Sequence, residues 1–290
     1  MGYYEKMMDK NIGYHYCGVE AFFEIIKNKK IWLSDASYSN DKKEIKWIDD
    51  LVDNLLKELV TKESLSTNDT SIFKKNYESF KDKKSYIFCL SKKKDLLSQW
   101  RGYANNGKGV AIGFRMNLAI PILKIPPINN SVSKDPRGNL KSNVFKIGYG
   151  DTIYEKNLNV KEYENKIKQY PNDIDMCALM VKEIASFFKH PSFEEEQEVR
   201  IVYSPANNPQ MQQNKHLDDA LKKISEKKYR YSNGQIIPYF EFDFKDNCNL
   251  LISEIILGPK CILKKDDLKE FLKSNGFEIT KIINSGSPYI

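Results

Sequence analysis

The sequence predicts an α+β fold: one domain over residues 1–290, built from short strands with helices inserted between them. Three observations predict it. Stretches such as "IGYHYC", "SYIFCLS", "GVAIGF" and "LISEIILG" have the length and the β-branched and aromatic content of strands. Between them run segments with apolar residues at helical spacing. No internal repeat and no linker-like stretch divides the chain, and 290 residues can bury roughly three quarters of their unfolded surface.

In order, "IGYHYC" is the first strand, and "VEAFFEIIKNK" puts Ala21, Phe22, Ile25 and Ile26 on one helical face. "IWLS" is a second strand. Asp41 is placed to cap a long helix carrying Ile45, Ile48, Leu51, Val52, Leu55, Leu56 and Leu59. "TKESLSTNDTS" reads as a polar surface excursion. "SYIFCLS" is a buried-type strand, "DLLSQWRGYA" a short helix, and "GVAIGF" a strand after a glycine turn. Residues 121–143, dense in Pro, Asn, Ser and Gly, read as a long loop, and "VFKIGYG" as a strand. Residues 160–188 carry one or two helices, and "QEVRIVY" is a strand entered from a charged turn. "HLDDALKKISEKK" is helical, and "YRYSNGQIIPYFEFDF" is a hairpin around Asn233-Gly234. The chain closes with strand "LISEIILG", helix "KDDLKEFLKSNG" and strand "FEITKIIN".

Composition narrows the function classes. Lys and Arg number 46 against 39 Asp and Glu, a net charge of +7 that tolerates an anionic partner such as a nucleotide or nucleic acid. The lysines are spread along helices, which describes a solvated surface, and no basic stripe with interleaved aromatics marks a nucleic-acid interface. The five cysteines, Cys17, Cys89, Cys177, Cys248 and Cys261, are scattered without CxxC or CxxH spacing and read as unpaired thiols, with no metal site. No apolar run approaches the ~20 residues that span a bilayer. Met1 to Asn11 has no apolar signal region. The expectation is a cytoplasmic chain with no membrane partner.

Four clusters could carry chemistry. The first is His15-Tyr16 on the opening strand. The second is Ser39-Asn40-Asp41 with Glu44. The third has Ser91 at a strand end and Trp100, Arg101 and Tyr103 on the helix that follows. The fourth, "FKHPSFEEEQEVRI", places Glu196, Glu198 and Arg200 at alternate positions. At a strand start that alternation turns both carboxylates to one face, about 7 Å apart. Their repulsion would let one keep a proton near neutral pH, while Arg200 on the same face offsets the charge. Each cluster also has a structural reading. His15 can be a half-buried strand residue, Asn40-Asp41 helix caps, Trp100 and Tyr103 core rings, and the glutamates a charged turn.

Taken in order, "YHY", "WLS", "SND", "FCLS", "LLSQWRGYA", "GKGVAIGF", "FKH", the E-x-E-x-R of Glu196, Glu198 and Arg200, "IILGP" and the closing "SGSPY" resemble a prokaryotic family, domain of unknown function 2971, from about Gly13 to Tyr289. The closing end departs from that pattern where an arginine would follow "PY". A looser resemblance is to the ADP-ribosyltransferase fold. There a first-strand His or Arg, a middle-strand Ser or Tyr and a closing E-x-E occur in the order of His15, Ser91 and Glu196/Glu198. Tyr16-Cys17 stands where Gly-Thr is usual, and "LSK" matches a Ser-Thr-Ser in part.

This second resemblance implies a split mixed β-sheet, with the strands of His15 and Glu198 side by side and lining one cleft. It also implies NAD as co-substrate, no metal, and ADP-ribose transfer to an acceptor macromolecule left open, nucleic acid included, as in a toxin or defence effector. His15 and Tyr16 would then meet the adenosine ribose, and Ser91 would shape the nicotinamide pocket. Trp100 and Tyr103 would stack on a ring, and Arg200 would complete the pocket. Glu198 would stabilise the oxocarbenium-like ribose through its 2′-OH, and Glu196 would orient or deprotonate the acceptor. Ser39, Asn40 and Asp41 would cap the helix walling the cleft, with Asn40, Asp41 and Glu44 as further pocket candidates. Two other classes stay open. One is a metal-dependent nuclease or phosphodiesterase using Asp41, Glu44, Glu196 and Glu198. The other is a nucleotide sensor with the same pocket and no turnover.

Overall fold

A computed structural model describes residues 12–39, 44–81, 83–116, 132–134, 140–142, 147–156, 158, 161, 164–165, 174, 178, 181–182, 185–205, 219–232 and 234–289. The strands are β1 (Ile12–Cys17), β2 (Lys30–Asp35), β3 (Tyr86–Ser91), β4 (Val110–Arg115), β5 (Val132–Lys134), β6 (Leu140–Ser142), β7 (Ile147–Asp151), β8 (Glu198–Tyr203), β9 (Lys228–Ser232), β10 (Gln235–Asp243), β11 (Ile252–Leu257) and β12 (Lys281–Asn284). The longer helices are α1 (Val19–Asn28), α2 (Glu44–Thr61), α3 (Thr67–Lys81), α4 (Leu97–Tyr103) and α5 (Lys265–Ser274).

One large sheet joins all strands except the β5–β6 ribbon. Its main path is β12-β11-β4-β1-β3-β2-β10-β9, and β8 and β7 branch from β3. The pair β11–β12 is parallel and the other pairs of this sheet are antiparallel, so the sheet is mixed. The branch point is β3. One of its edges pairs along its whole length with β8, from Tyr86↔Tyr203 to Ser91↔Glu198. The other edge is divided: Tyr86 and Ile87 pair with β2, while Ser91 pairs with Tyr14 of β1. β1 and β2 therefore part from each other along β3.

Alternation along the strands sorts residues between two faces. Tyr86, Phe88 and Leu90 of β3 and Val199, Ile201 and Tyr203 of β8 enter the main core, where α1 and α5 add Phe22, Ile26, Leu268 and Leu272. Complete burial of Phe22 and Ile26 stabilises the α1 seat by about 2 kcal/mol each. On the opposite face Tyr14 and Tyr16 pack with Trp100, Ala104, Ala111 and Ile256. Helices α2 and α3 form a separate cluster, in which Leu51, Leu55, Leu56 and Leu59 meet Phe73 and Tyr77.

Among the described residues the expected elements occur in the expected order, with three differences; the helices expected over 160–188 lie largely outside those residues. "TKESLSTNDTS" is only partly an excursion, because α3 begins inside it at Thr67. Ser66 and Asp69 form a reciprocal capping box, each side chain accepting from the other's backbone N–H. The segment 121–143 contains the β5–β6 ribbon, Val132↔Ser142 to Lys134↔Leu140. The helix expected over "HLDDALKKISEKK" stops early, since Ile224 makes a bridge to Phe242 and Ser225 N–H donates to the Glu241 carbonyl. The sheet edge takes those backbone groups instead of a helix.

Cys17, Cys89, Cys248 and Cys261 are free thiols, and Cys177 lies outside the described residues. No helix among the described residues is long and apolar enough to cross a membrane.

The approach of β4 to β1 fixes the half-sheet that carries His15, and Gly109 sits at its start. A methyl group there would collide with the Cys17 carbonyl oxygen, a backbone atom that cannot swing aside. Gly109→Ala is therefore expected to cost about 2 kcal/mol or more in urea unfolding. Gly102 lies in α4 with open space around its Cα, so Gly102→Ala should be neutral or stabilise by up to ~1 kcal/mol. Equal effects of the two substitutions would refute this packing.

Candidate functional site

Where β1 and β2 part, the freed edge of β3 meets a side chain instead of a strand. His15 alternates with Tyr14 and Tyr16 and stacks on Phe88 at 4.3 Å between ring centroids. Its Nδ1 lies 3.0 Å from the Cys89 carbonyl oxygen, which can only accept, so Nδ1 carries the proton and Nε2 is left as an acceptor. Burial lowers the His15 pKa to about 4 against the opposing pull of that carbonyl, so the ring is neutral at pH 7.

A cavity of about 250 Å³ opens at this gap. Seven of the expected site residues line it: His15, Tyr16, Ser91, Tyr103, Glu196, Glu198 and Arg200. The sequence reading sets the strands of His15 and Glu198 side by side; they are not neighbours, because β3 lies between them and pairs with both. The register Tyr14↔Ser91↔Glu198 sets them two strand spacings apart, about 10 Å. That is still within the reach of one ligand.

The polar floor of the cavity is a buried cluster of two acids and two bases. Arg200 Nε donates to Glu198 Oε1 at 2.8 Å, and an Nη of the same guanidinium reaches Oε2 at 3.3 Å. Lys189 Nζ bridges the two acids, 2.7 Å from Glu196 Oε2 and 3.0 Å from Glu198 Oε2. Glu198, Arg200 and Lys189 are all buried, at 5%, 2% and 6% exposure. Burial by itself would raise the Glu198 pKa, but Arg200 and Lys189 outweigh it and bring it down to about 2. The proton-sharing pair expected from repulsion between the glutamates is thus absent: Glu198 is ionised, and a lysine stands between the two. Glu196 is not on the strand at all. It ends the short 3₁₀ helix Pro191–Glu196, and Gln197 follows in the left-handed region at φ 43°.

The remaining expected residues divide between the cavity and the scaffold. Ser91 Oγ donates to the Glu196 carbonyl at 2.6 Å and accepts from Lys93 N–H at 3.0 Å, so it clamps the strand end to the 3₁₀ turn. Tyr103 OH reaches Glu196 Oε1 at 3.2 Å. Tyr16 OH donates to the Lys93 carbonyl and accepts from Leu96 N–H, anchoring the loop before α4. Trp100, expected as a stacking ring, is wholly buried, with its indole N–H on Asp95; it is a core residue beneath Tyr16. Asn40 and Asp41 lie outside the described residues. Glu44 begins α2, and its side chain is likewise outside them.

Sequence reasoning passed over Lys189, Tyr154 and Arg230. Lys189 follows the buried pair Phe187-Phe188 directly, and a lysine continuing an apolar run just before an E-x-E was the available signal. Tyr154 OH accepts from Glu198 N–H at 2.8 Å, and burial raises its pKa to about 12. Burial also pushes the Cys89 thiol well up, with Glu198 adding to it, so Cys89 is not a thiolate nucleophile. Among the described residues no group of three His, Cys, Asp or Glu side chains is placed to hold a metal ion.

Part of the site lies in a segment that a family model matches. Residues 99–201 match the family model described as Protein of unknown function (DUF2971). The DUF2971 match starts on α4 and ends on β8, so it contains Tyr103, Lys189, Glu196, Glu198 and Arg200 but not His15 or Ser91. It is narrower than the motif order from Gly13 to Tyr289. No curated protein and no solved structure matches the chain.

Two pH windows follow from the depressed pKa values. An unfolded His15 gains its proton near pH 6.5 and the folded one near pH 4, so its contribution is lost as pH falls through that interval. For Glu198 the interval runs from 4.5 down to about 2. Melting temperature should fall in both windows on acidification, and His15→Gln should flatten the upper one. A melting temperature that rises between pH 6.5 and 4 would contradict the assignment. At pH 7, Glu198→Gln removes the carboxylate charge that Arg200 and Lys189 share in the core and should cost about 3 kcal/mol or more, read by urea unfolding.

Proposed function

We propose that this protein cleaves the nicotinamide–ribose bond of NAD and passes ADP-ribose to an acceptor, as enzymes of the ADP-ribosyltransferase fold do. The observation that carries the reading is the convergence of His15, Ser91, Glu196 and Glu198 on one cavity at the gap of a split sheet. In this reading the C1′–N bond breaks with its electron pair going to nicotinamide, which leaves neutral. Positive charge develops on the ribose. The ionised Glu198 carboxylate stabilises that charge through the 2′-OH.

Three of about four lone-pair positions on Glu198 are taken by Arg200 and Lys189. The remaining position is left for a ribose hydroxyl, with the weak donor Cys89, another residue of the cavity lining, as its competitor. An acceptor nucleophile then attacks C1′ and gives its proton to Glu196, which Lys189 and Tyr103 hold in place, while water can attack in its stead and release its proton to solvent. Among the described residues the nuclease reading has no observation in its favour, because Glu196 is paired with Lys189 and Glu198 with Lys189 and Arg200.

The test is incubation with NAD and candidate acceptors, followed by assay of free nicotinamide. The parent should release it with or without EDTA. Glu198→Gln, assayed below its own melting temperature, should release it about a hundredfold more slowly. Glu196→Gln should keep nicotinamide release and lose acceptor labelling. A parent that binds NAD without releasing nicotinamide is a sensor, and this reading is then wrong.

A further inference from the structure

A second cavity, of about 600 Å³, lies beside the first, walled by α1, Trp32 and Phe88. The two cavities share three lining residues, His15, Ser34 and Arg230, all at the gap. Arg230 stands on β9 opposite Ile237 of β10. Its guanidinium lies 5.4 Å from the centre of the Trp32 ring, and one Nη donates to Ser34 Oγ at 3.3 Å. Its Nε is buried and has no hydrogen-bond partner among the described residues.

The acids around it are already engaged. Glu241 holds Lys30 and Lys228, each at 2.9 Å. Asp35 holds Lys84 at 2.7 Å, and Glu196 and Glu198 hold Lys189 and Arg200. Among the described residues Arg230 therefore keeps a guanidinium charge with no carboxylate partner, at the one place where both cavities can be reached. A buried unpaired N–H and an unpaired charge are each costly, and an anion with in-plane acceptor oxygens relieves both at once. The far rim has the opposite character. Glu20 and Glu24 of α1 line the larger cavity and suit hydroxyl or amino donors rather than an anion.

We infer that Arg230 is the phosphate-binding residue of this site. It holds the diphosphate of a dinucleotide where the cavities join, with one nucleoside toward Glu198 and the other over Trp32 and α1. The identity of the ligand as a dinucleotide rests on the NAD reading above; the anion rests on Arg230 itself.

Calorimetric titration of the full chain with inorganic pyrophosphate, ADP, adenosine and NAD tests it, using the parent, Arg230→Gln and Arg230→Lys. Pyrophosphate and ADP should bind the parent and lose about tenfold or more in affinity in Arg230→Gln. Arg230→Lys, which keeps the charge but not the fork, should fall between. Adenosine should not distinguish the three, and unchanged melting temperatures show that the variants are folded. Equal binding of pyrophosphate and ADP by the parent and Arg230→Gln overturns the inference, as does a parent that binds neither. Arg230-dependent ADP binding without nicotinamide release from NAD would keep the inference and remove the transferase reading. Nicotinamide release with the same KM for NAD in the parent and Arg230→Gln would do the reverse.

Discussion

The divided edge of β3 is the constraint from which the rest of the site follows. A strand edge offers backbone groups that must be paired when buried. β3 spends one end of its free edge on β2 and the other on β1, so the middle cannot be closed by either. His15 answers for part of the difference by donating to the Cys89 carbonyl. A neutral imidazole suits that task because it supplies one N–H without carrying a charge into the core, at the cost of a depressed pKa. The same division opens the gap at which both cavities meet, so the sheet defect and the site are one feature.

The opposite edge of β3 is fully paired with β8, and that pairing delivers Glu198 and Arg200 to the floor of the cavity. A buried carboxylate is tolerable only with its countercharges in hydrogen-bonding contact, and here a guanidinium and an ammonium provide them. Lys189 lies outside any strand and is brought in by the 185–190 segment, whose backbone pairs with Ile153 on both sides of Phe188. The stretch 189–200 must thus fold back on itself, with its two ends held by Ile153 and β3, before the charges balance. Such a cluster contributes little net stability compared with apolar packing. It does hold Glu198 ionised in a water-poor setting, and that is where an electrostatic contact with a developing cation is strongest.

Much of the fold was legible because the core strands carry continuous or alternating apolar residues, as in "SYIFCLS" and "QEVRIVY", whose pattern leaves no competing reading. α3 was not, because its start is polar and its signal is a capping box rather than a periodic apolar stripe. At the site, the convergence of His15, Ser91 and Glu198 was readable as an order along the chain. The intervening β3 and the ion pairing were not, since strand order and the position of Lys189 depend on long-range pairing that no local pattern encodes. Trp100 illustrates the limit differently: an aromatic on a short helix suits a stacking platform or a core plug equally well, and only Asp95 and Tyr16 decide between them. Arg230, in a strand of alternating aromatic and basic residues, carries no local sign that its charge goes unanswered.

Whether the gap between β1 and β2 is the proposed dinucleotide cleft is tested most directly by a crystal structure with a non-hydrolysable NAD analogue. The account predicts density across the gap from Glu198 to Trp32, with the diphosphate on Arg230 and His15 alongside. An analogue bound elsewhere on the sheet, with the gap unoccupied in the same crystal, would contradict it.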